Sequence, residues 1–403
     1  MNRVVITGMG VLAPIGQTVA DYWNALVAGT VGFAAPTFAE SSRVNTRVIG
    51  ELKNFDASAH LTSSQAGMMD RVSQIMVAAA KQAVAHAGLA MNNGVAERTA
   101  AIIGTGAGGL TTIDESLRKL YVDNARLHPL TIPKVMVNAP ASQVSMACGI
   151  KGPAFVIASA CASSTHAMGV AFNMVRSGVV SCALTGGTES CVSTGSVKGW
   201  EAMRILAPDT CRPFSRDRKG LVLAEGAAAL IFETLDHARA RGADILAEVA
   251  GFGMSSDAHD LTSPDVGGMT RAIAGALADA GLSPDAVDYV NAHGTGTTAN
   301  DASETTALHQ VFGPYARKLA ISSTKSMVGH ALGAAGALEQ VAAVMALRDG
   351  IVPPTMNYLE PDPACDLDYV PNEARRKPIK VALNNSFAFG GLNAALLTRR
   401  FDA

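Results

Sequence analysis

The sequence predicts an α/β protein in which helices cover a sheet, and three observations point to this class. Short apolar runs rich in β-branched residues alternate with longer runs of helical periodicity. Glycine accounts for 39 of the 403 residues, which is typical of tight turns between such elements. Hydrophobic residues make up 48% of the chain and charged residues 16%, so the chain can bury a large core.

The elements follow in chain order from these runs. Nine short apolar runs are predicted strands: Arg3–Thr7, Ala100–Gly104, Ala154–Ser159, Cys182–Gly186, Ala227–Phe232, Val287–Ala292, Leu319–Ser323, Lys380–Asn384 and Ala394–Thr398. Five longer runs are predicted helices: Gln65–Ala87, Ser163–Val175, Met269–Ala280, Ala302–Val311 and Gly333–Arg348. The most apolar helical stretch, Ala331–Leu347, contains Glu339 and Gln340 and is shorter than the ~20 residues of a bilayer span, so we expect no membrane segment.

Charge and cysteine content exclude several classes of partner and scaffold. The chain has 32 Lys and Arg residues and 34 Asp and Glu residues, so its net charge is −2. It therefore has no overall positive charge that would attract nucleic acid or an anionic membrane. The six cysteines lack C-x-x-C spacing, which argues against a disulfide scaffold and a cysteine zinc site. The apolar run Val4–Gly16 contains Pro14 and lacks a cleavage site, so we reject a signal peptide and expect a cytoplasmic protein.

Two segments of the chain resemble each other. The predicted strand Ala154–Ser159 leads through Cys161 into a helix of small residues, and Leu319–Ser323 leads through Lys325 into another. We interpret the match as an internal duplication, with chance similarity in a glycine-rich chain as the alternative. The duplication predicts two halves, residues 1–248 and 249–403, which share one packed interface because no Pro/Ser-rich linker separates them.

A literal match to the dinucleotide-binding fingerprint G-x-G-x-x-G occurs at Gly104–Gly109. A dinucleotide fold also needs an acidic residue at the end of a second strand, about 20 residues further on. Asp123 lies nearby, but its surroundings do not form a clear strand end. We therefore interpret the glycines as a tight turn and expect no nicotinamide cofactor.

Cys161 is the first candidate for chemistry. It lies between an apolar strand and a helix, where unpaired N–H groups and the helix dipole favour a nucleophilic thiolate. The alternative, a small buried hydrophobic residue, is the commoner role of a lone cysteine. That role is assigned to the remaining cysteines: Cys148, Cys182, Cys191, Cys211 and Cys365.

Two histidines lie in glycine-rich turns after predicted strands. His293 lies in Asn-Ala-His-Gly-Thr-Gly-Thr, residues 291–297, and His330 ends Ser-Ser-Thr-Lys-Ser-Met-Val-Gly-His, residues 322–330. One such histidine would more often be structural, but two of them together with Cys161 favour a functional site. Zinc is the weaker interpretation, because neither H-E-x-x-H nor C-x-x-C spacing is present.

Two further features surround these histidines. Lys325 and Glu339 flank His330, and a charge within an apolar run is costly to bury unless it is paired, so we expect an ion pair between them. A surface lysine is the alternative. Phe389 lies in a glycine turn after the apolar strand 379–383, and backbone N–H groups of such a turn can form half of an oxyanion hole.

Together the motifs resemble the elongating β-ketoacyl-acyl-carrier-protein synthases, type II condensing enzymes of the thiolase superfamily. The match runs through residues 4–10, 158–161, 291–297, 323–330 and 385–391, and so covers essentially the whole chain. The resemblance implies a duplicated five-layer αβαβα fold, usually a homodimer. It also implies decarboxylative condensation of a malonyl group with an enzyme-bound acyl chain, without metal or tightly bound cofactor. Phosphopantetheine would arrive on the acyl carrier protein.

Catalytic roles follow from the same resemblance. Cys161 would be the acyl-accepting nucleophile. His293 and His330 would promote decarboxylation and stabilise the resulting enolate, and Lys325, with Glu339 as its partner, would order the two histidines.

Substrate-contacting roles are also implied. Phe389 would be the gating aromatic residue, and its N–H would share the oxyanion hole with that of Cys161. Thr295 and Thr297 would bind the phosphopantetheine arm. Many relatives carry a bulky residue where this chain has Ala107, so we expect an open acyl tunnel. The alternative is that Trp200, Phe389 or residues from a second subunit close it.

The partner is expected to dock through local basic residues, since relatives present a Lys/Arg cluster that residues 63–69 lack. The candidates are Arg126, Arg204 and Arg212. A homodimer is expected, and a heterodimer with a related subunit is the alternative. Two other functions remain open: a non-catalytic chain-length-factor-like subunit, and a thiolase-type acyltransferase. Against the first stand Cys161 and both histidines, and against the second stands the lack of a second cysteine in residues 387–393.

Overall fold

The computed structural model of the chain describes residues 1–92 and 94–402. Its strands are β1 (Val4–Leu12), β2 (Thr99–Gly104), β3 (Ala154–Ile157), β4 (Cys182–Glu189), β5 (Gly226–Thr234), β6 (Ala247–Ser256), β7 (Tyr289–Asn291), β8 (Ala320–Ser322), β9 (Ile351–Val352), β10 (Arg375–Arg376), β11 (Val381–Ala388) and β12 (Leu392–Arg399). Its α-helices are α1 (Val19–Val27), α2 (Ser63–Gly67), α3 (Arg71–Ala87), α4 (Leu110–Tyr121), α5 (Thr131–Val135), α6 (Ala139–Cys148), α7 (Ser163–Arg176), α8 (Thr194–Ala202), α9 (Leu235–Ala240), α10 (Val266–Ala280), α11 (Thr298–Phe312), α12 (Lys325–Val328) and α13 (Ala335–Asp349).

The main sheet repeats its strand order in the two halves of the chain. Its order is β3-β2-β4-β5-β1-β6-β12-β11-β7-β8. Each half contributes five strands, and both halves place them in the same order. Counted from the outer edge of the sheet inward, these are the third, second, fourth, fifth and first strands of that half along the chain. The halves meet where β1 and β6 pair antiparallel over three residues. The repeated topology agrees with the duplication that the sequence predicts.

Helices cover both halves of the sheet. The helix α3 packs against β1, β4 and β5, and α10 packs against β6 and β12. The helices α7 and α13 contact each other and strands of both halves, so they form the central layer. The layers therefore follow one another as α3, the first half of the sheet, α7 with α13, the second half of the sheet, and α10. This order confirms the predicted five-layer α/β fold.

Glycines let the central helices pack closely. A Cβ atom on Gly336 of α13 would lie 2.0 Å from Thr165 Oγ1 of α7. A Cβ atom on Gly169 of α7 would lie 2.4 Å from the ring of Phe252 in β6. Both distances are shorter than van der Waals contact, so only glycine permits these approaches.

The strand β6 was missed in the sequence, although it lies where the halves were expected to meet. Its run carries the charged Glu248 and two glycines, which weaken the apolar pattern of a strand. In the fold Glu248 is buried between Arg3 and Arg399, and Gly251 lets α10 approach the strand. The predicted boundary between residues 248 and 249 falls inside β6 and stays a prediction.

The long predicted helix 65–87 is in fact two helices, α2 and α3. The break comes before Asp70, whose carboxylate accepts a hydrogen bond from Val72 N–H at 2.9 Å and caps α3. The apolar run 331–347 forms most of α13, which is buried on all sides in the central layer. Within residues 1–92 and 94–402, no helix has both the length and the apolar character needed to cross a bilayer.

Candidate active site

Cys161 lies in a single 3₁₀ turn between β3 and α7, and its side chain is buried. The preceding Ala160 has a φ of +48°, a strained conformation for a residue with a Cβ atom. Ser163 Oγ donates to Ala160 O at 2.7 Å and accepts from Ser159 N–H at 2.9 Å, and Ser159 Oγ lies 2.8 Å from His166 Nδ1. This ring of hydrogen bonds holds the sharp turn that presents the thiol.

His330 brings the second half of the chain to the thiol. Its backbone is fixed by two hydrogen bonds: its N–H donates to Val222 O at 2.7 Å, and its carbonyl accepts from Ala224 N–H at 3.0 Å. The Nε2 atom of the buried ring lies 3.1 Å from Cys161 Sγ. The two halves therefore contribute one partner each to a thiol–imidazole contact.

His293, Lys325 and Glu339 form a second buried group beside this contact. Lys325 begins α12, and its ammonium donates to the carbonyl of His293 at 2.6 Å and forms an ion pair with Glu339 of α13. The same ammonium lies 3.3 Å from His293 Nδ1. Because an ammonium only donates, Nδ1 accepts and the ring proton of neutral His293 lies on Nε2. The predicted ion pair is present, and the alternative of a surface lysine is wrong.

The two imidazoles are close neighbours and both are neutral at ordinary pH. Their ring centroids are 5.3 Å apart and their planes nearly perpendicular. Burial lowers the pKa of His293 and of His330 well below the usual range, and the charge of Lys325 lowers both further. One nitrogen of each neutral ring can accept a proton while the other can donate one.

The thiol differs from the sequence expectation. Burial raises the pKa of Cys161 to about 12, while the charge of Lys325 and the N–H groups of Phe389 and Cys161 itself act in the opposite direction. Desolvation therefore outweighs these opposing contributions, and the resting side chain is a thiol. Because the N–H of Phe389 lowers the thiol pKa, it lies near the sulfur, where a carbonyl oxygen of a bound thioester could also reach it.

A cavity of about 70 Å³ opens onto these groups. The Trp200 ring and the Phe389 ring stack at 6.2 Å with an angle of 23° across its wall. Thr295 and Thr297 also line it, with their hydroxyl oxygens 2.8 Å apart. Four of the sequence-predicted contact residues thus lie around one cavity with Cys161 and both histidines, namely Trp200, Thr295, Thr297 and Phe389.

Other predicted residues lie outside this cavity. Ala107 is half-buried in the loop after β2, away from the cavity lining. Arg126 and Arg204 are exposed on the surface. The Arg212 side chain is only 15% exposed and pairs with Asp209 and Asp217, so little of its charge is free for a partner.

A functional residue that the sequence did not single out is Glu304 of α11. Its buried carboxylate accepts from His293 N–H at 2.9 Å, Gly294 N–H at 2.8 Å and Asn385 Nδ2 at 3.2 Å. Burial raises its pKa to about 7. An acidic residue on the buried face of a helix was the available signal, and only the fold shows that it holds the His293 turn.

A metal is a poor fit for this donor set. One donor atom each from Cys161, His293 and His330 lie within 4.8 Å of one another. However, the Lys325 ammonium contacts His293, and its charge repels a divalent cation. That the site takes no metal stays a prediction.

The comparisons with known proteins agree with this geometry. Residues 1–238 match the model of the β-ketoacyl synthase N-terminal domain, and residues 246–359 match that of the C-terminal domain. The chain is 47% identical to nodulation protein E of Rhizobium sp. (strain N33), over 99% of each chain. It is 42% identical to 3-oxoacyl-[acyl-carrier-protein] synthase 2 of Synechocystis sp. (strain ATCC 27184 / PCC 6803 / Kazusa), over 100% of this chain and 99% of the relative.

Among solved structures, a complex described as a type II polyketide acyl-carrier protein with its ketosynthase bound to the hexaketide matches with a TM-score of 0.90. The identity is 33% and both chains are covered completely. The resemblance read from the motifs is therefore confirmed, as are the condensing-enzyme function and the thiolase-like fold. Because family models match both halves and full-length relatives exceed 40% identity, this chain belongs to the β-ketoacyl synthase family.

Proposed function

We propose that this β-ketoacyl synthase carries its acyl chain on Cys161. The observation that carries the proposal is the 3.1 Å contact between the buried thiol and Nε2 of a neutral His330. When an acyl thioester binds, the thiol proton passes to Nε2 and the sulfur attacks the carbonyl carbon. The carbonyl oxygen takes up negative charge between the N–H groups of Cys161 and Phe389. Collapse of this intermediate expels the carrier thiolate, which takes back the proton.

The second half-reaction uses both histidines. A malonyl thioester loses carbon dioxide, and the electron pair of the broken C–C bond moves into an enolate. The Nε2–H of His293 donates to the enolate oxygen, because Lys325 holds Nδ1 as the acceptor. His330 is the second donor in this proposal; for this step its neutral ring carries the proton on Nε2, the opposite tautomer to the one that accepts the thiol proton. The enolate carbon then attacks the Cys161 thioester and expels the Cys161 thiolate, which takes up one proton from water to regenerate the thiol.

The expected adduct tests the first half-reaction. After incubation with an acyl carrier, the intact mass of the parent enzyme should rise by one acyl group, and that of Cys161→Ala should not. Cys191→Ala is a matched control, since Cys191 is equally buried and hydrogen-bonded to Ala224 O instead of a histidine. An adduct that persists in Cys161→Ala would disprove the assignment.

The carrier is the partner that supports this chemistry, and phosphopantetheine reaches the site as part of it. A carrier complex is described for a 33% identical ketosynthase. The hydroxyls of Thr295 and Thr297 face the cavity, where they can bind the amides of a pantetheine arm. For docking, the exposed Arg204 and Arg126 are better candidates than Arg212, whose charge is already paired.

A second copy of this chain is the proposed dimer partner. The strand β3 lies at the edge of the sheet, where its outer backbone groups can pair with another strand. Of the 18 large apolar side chains exposed among the described residues, 11 lie between Leu117 and Phe155. Such a patch next to a sheet edge favours a protein–protein interface.

The proposed compartment is the cytoplasm. The six cysteines are free thiols in the structure, which suits a reducing compartment. A non-catalytic role, as in chain-length-factor-like subunits, fits poorly because the thiol and both imidazoles are assembled in one buried site.

A further inference from the structure

Glu189 is a buried carboxylate that the proposed chemistry does not use. It ends β4, and its side chain is fully buried. Gly106 N–H and Gly333 N–H donate to its Oε2 at 2.7 and 3.0 Å. The Thr105 hydroxyl and Ala107 N–H donate to its Oε1 at 3.1 and 3.3 Å. All four donors are neutral, and within the described part of the chain Glu189 has no ion pair. Burial of a carboxylate without a cation is costly, and Glu189 shares this feature with Glu304.

The donors come from the two halves of the chain. Gly106 and Ala107 belong to the loop after β2, next to the turn that presents Cys161. Gly333 follows His330 by three residues, in a turn where Leu332 has a φ of +43°. One carboxylate oxygen, Oε2, thus joins the loop next to the Cys161 turn to the turn that follows His330.

Glycine is required at both contact points. A Cβ atom on Gly106 would lie 2.8 Å from Glu189 Oε2, and one on Gly333 would lie 2.7 Å from the same oxygen and 2.3 Å from Gly106 N. The backbone therefore approaches the carboxylate only because side chains are missing there. A carboxylate also suits four converging donors, because it accepts at both oxygens and donates at neither.

The second half of the chain contains the equivalent loop, which is held by a carboxylate from a different element, Glu304 of α11. Gly104 is the last residue of β2 paired with β4, and Asn291 is the last residue of β7 paired with β11. Glu189 accepts from the N–H groups of the second and third residues after Gly104. Glu304 accepts from the N–H groups of the second and third residues after Asn291. In the second half, that loop carries His293.

We propose that Glu189 is a positioning residue, which holds the loop of Gly106 and Ala107 and the turn behind His330 in one arrangement. This inference rests on the proposed role of His330. It assigns Glu189 to two tasks: fixing the loop next to the Cys161 turn, where Ala107 is expected from the sequence to limit the acyl chain, and fixing the imidazole that acts on the malonyl group. The residue itself touches neither substrate.

Amide hydrogen exchange tests the positioning without any assay of activity. In Glu189→Gln the side-chain NH₂ replaces an acceptor, so segments 104–109 and 331–336 should both exchange about tenfold faster or more, as expected for lost charge-assisted hydrogen bonds. Glu248→Gln is the matched control, since Glu248 is also buried but pairs with Arg3 and Arg399. Unchanged exchange in either segment of Glu189→Gln would overturn the proposal.

Kinetics then separate positioning from general damage. In Glu189→Gln, malonyl decarboxylation should fall about tenfold and the long-to-short acyl ratio of kcat/KM should change about threefold, while Cys161 is still acylated. Glu189→Asp, which keeps the charge, should recover part of the decarboxylation rate. Equal loss of every reaction with a lower Tm would show a merely structural role and overturn the proposal. If the parent enzyme is not acylated at Cys161, the proposed function fails, and the exchange experiment still decides whether Glu189 holds the two segments.

Discussion

Burial sets the charge state of each group in the site. Cys161, His293 and His330 are almost inaccessible to solvent, which favours the neutral form of each. The ammonium of Lys325 is paired with Glu339, yet it still disfavours a second positive charge on either imidazole. In the resting site a thiol therefore lies beside a neutral base. In the proposed mechanism the proton moves from sulfur to nitrogen only when a thioester is bound.

The two imidazoles should be separable by mutation. His293→Ala removes a donor to the enolate, so it should slow malonyl decarboxylation by about 10²-fold or more while leaving acyl transfer to Cys161 largely intact. His330→Ala should slow both half-reactions, because His330 also contacts Cys161 Sγ. Decarboxylation and acylation are measured separately, by released carbon dioxide and by intact mass.

His309→Ala is a suitable control, since His309 pairs with Asp366 on the surface. If His293→Ala slowed acylation as strongly as decarboxylation, His293 would act on the thiol and its assignment as an enolate donor would be wrong.

The residues found from the sequence share a recognisable context. Cys161, His293 and His330 each lie in a turn of small residues after a strand, and that local pattern is visible without the fold. Glu189 and Glu304 have no such pattern, because their roles depend on backbone N–H groups that distant segments bring together. The raised pKa of the Cys161 thiol could not be predicted from the sequence either, because the depth of burial depends on the whole fold.

The β11–β12 turn and the helix α8 form part of the wall of the cavity that leads to the Cys161 thiol. The turn between β11 and β12 presents Phe389, and its Gly390 and Gly391 have φ values of +83° and +68°. Trp200 of α8 stacks on Phe389. The helix α8 was not predicted, because its run contains two glycines and polar residues, which weaken the helical pattern.

Ala107 tests how the loop after β2 limits the acyl chain. Ala107 lies outside the cavity beside Cys161, so it can limit only an acyl chain that extends past the cavity to this loop. There the Ala107→Ile change adds three carbons, and overpacking costs ~1–3 kcal/mol, or roughly five- to 150-fold in affinity. We therefore expect the ratio of kcat/KM for long over short acyl carriers to fall about fivefold or more. The ratio cancels general damage to folding or docking. A constant ratio would instead place the limiting wall at Trp200 or Phe389.

Across the whole molecule, the proposed catalytic groups come from both halves of a repeated topology. Cys161 belongs to the first half, whereas His293, Lys325 and His330 belong to the second, and the central helices α7 and α13 lock the halves together. The similarity between the segments around Cys161 and Lys325 allowed the duplication to be predicted from the sequence. The strand β6 at the junction was not predictable by pattern, because burial of Glu248 depends on two arginines far away in sequence.

The edge strand β3 gives the whole-molecule prediction, a homodimer. Phe155 in this strand is 39% exposed, and an exposed side chain of a monomer tolerates a charge with little effect. In a dimer the same side chain would be covered, so Phe155→Asp would bury an unpaired charge and separate the subunits. Light scattering coupled to size exclusion should give the parent a mass about twice the 41.4 kDa of one chain and Phe155→Asp a mass near that of one chain. Leu359→Asp is the matched control, because Leu359 is 65% exposed but lies outside the patch between Leu117 and Phe155, and this variant should stay dimeric. A monomeric parent, or a dimer that survives Phe155→Asp, would show that this edge is not the contact between copies.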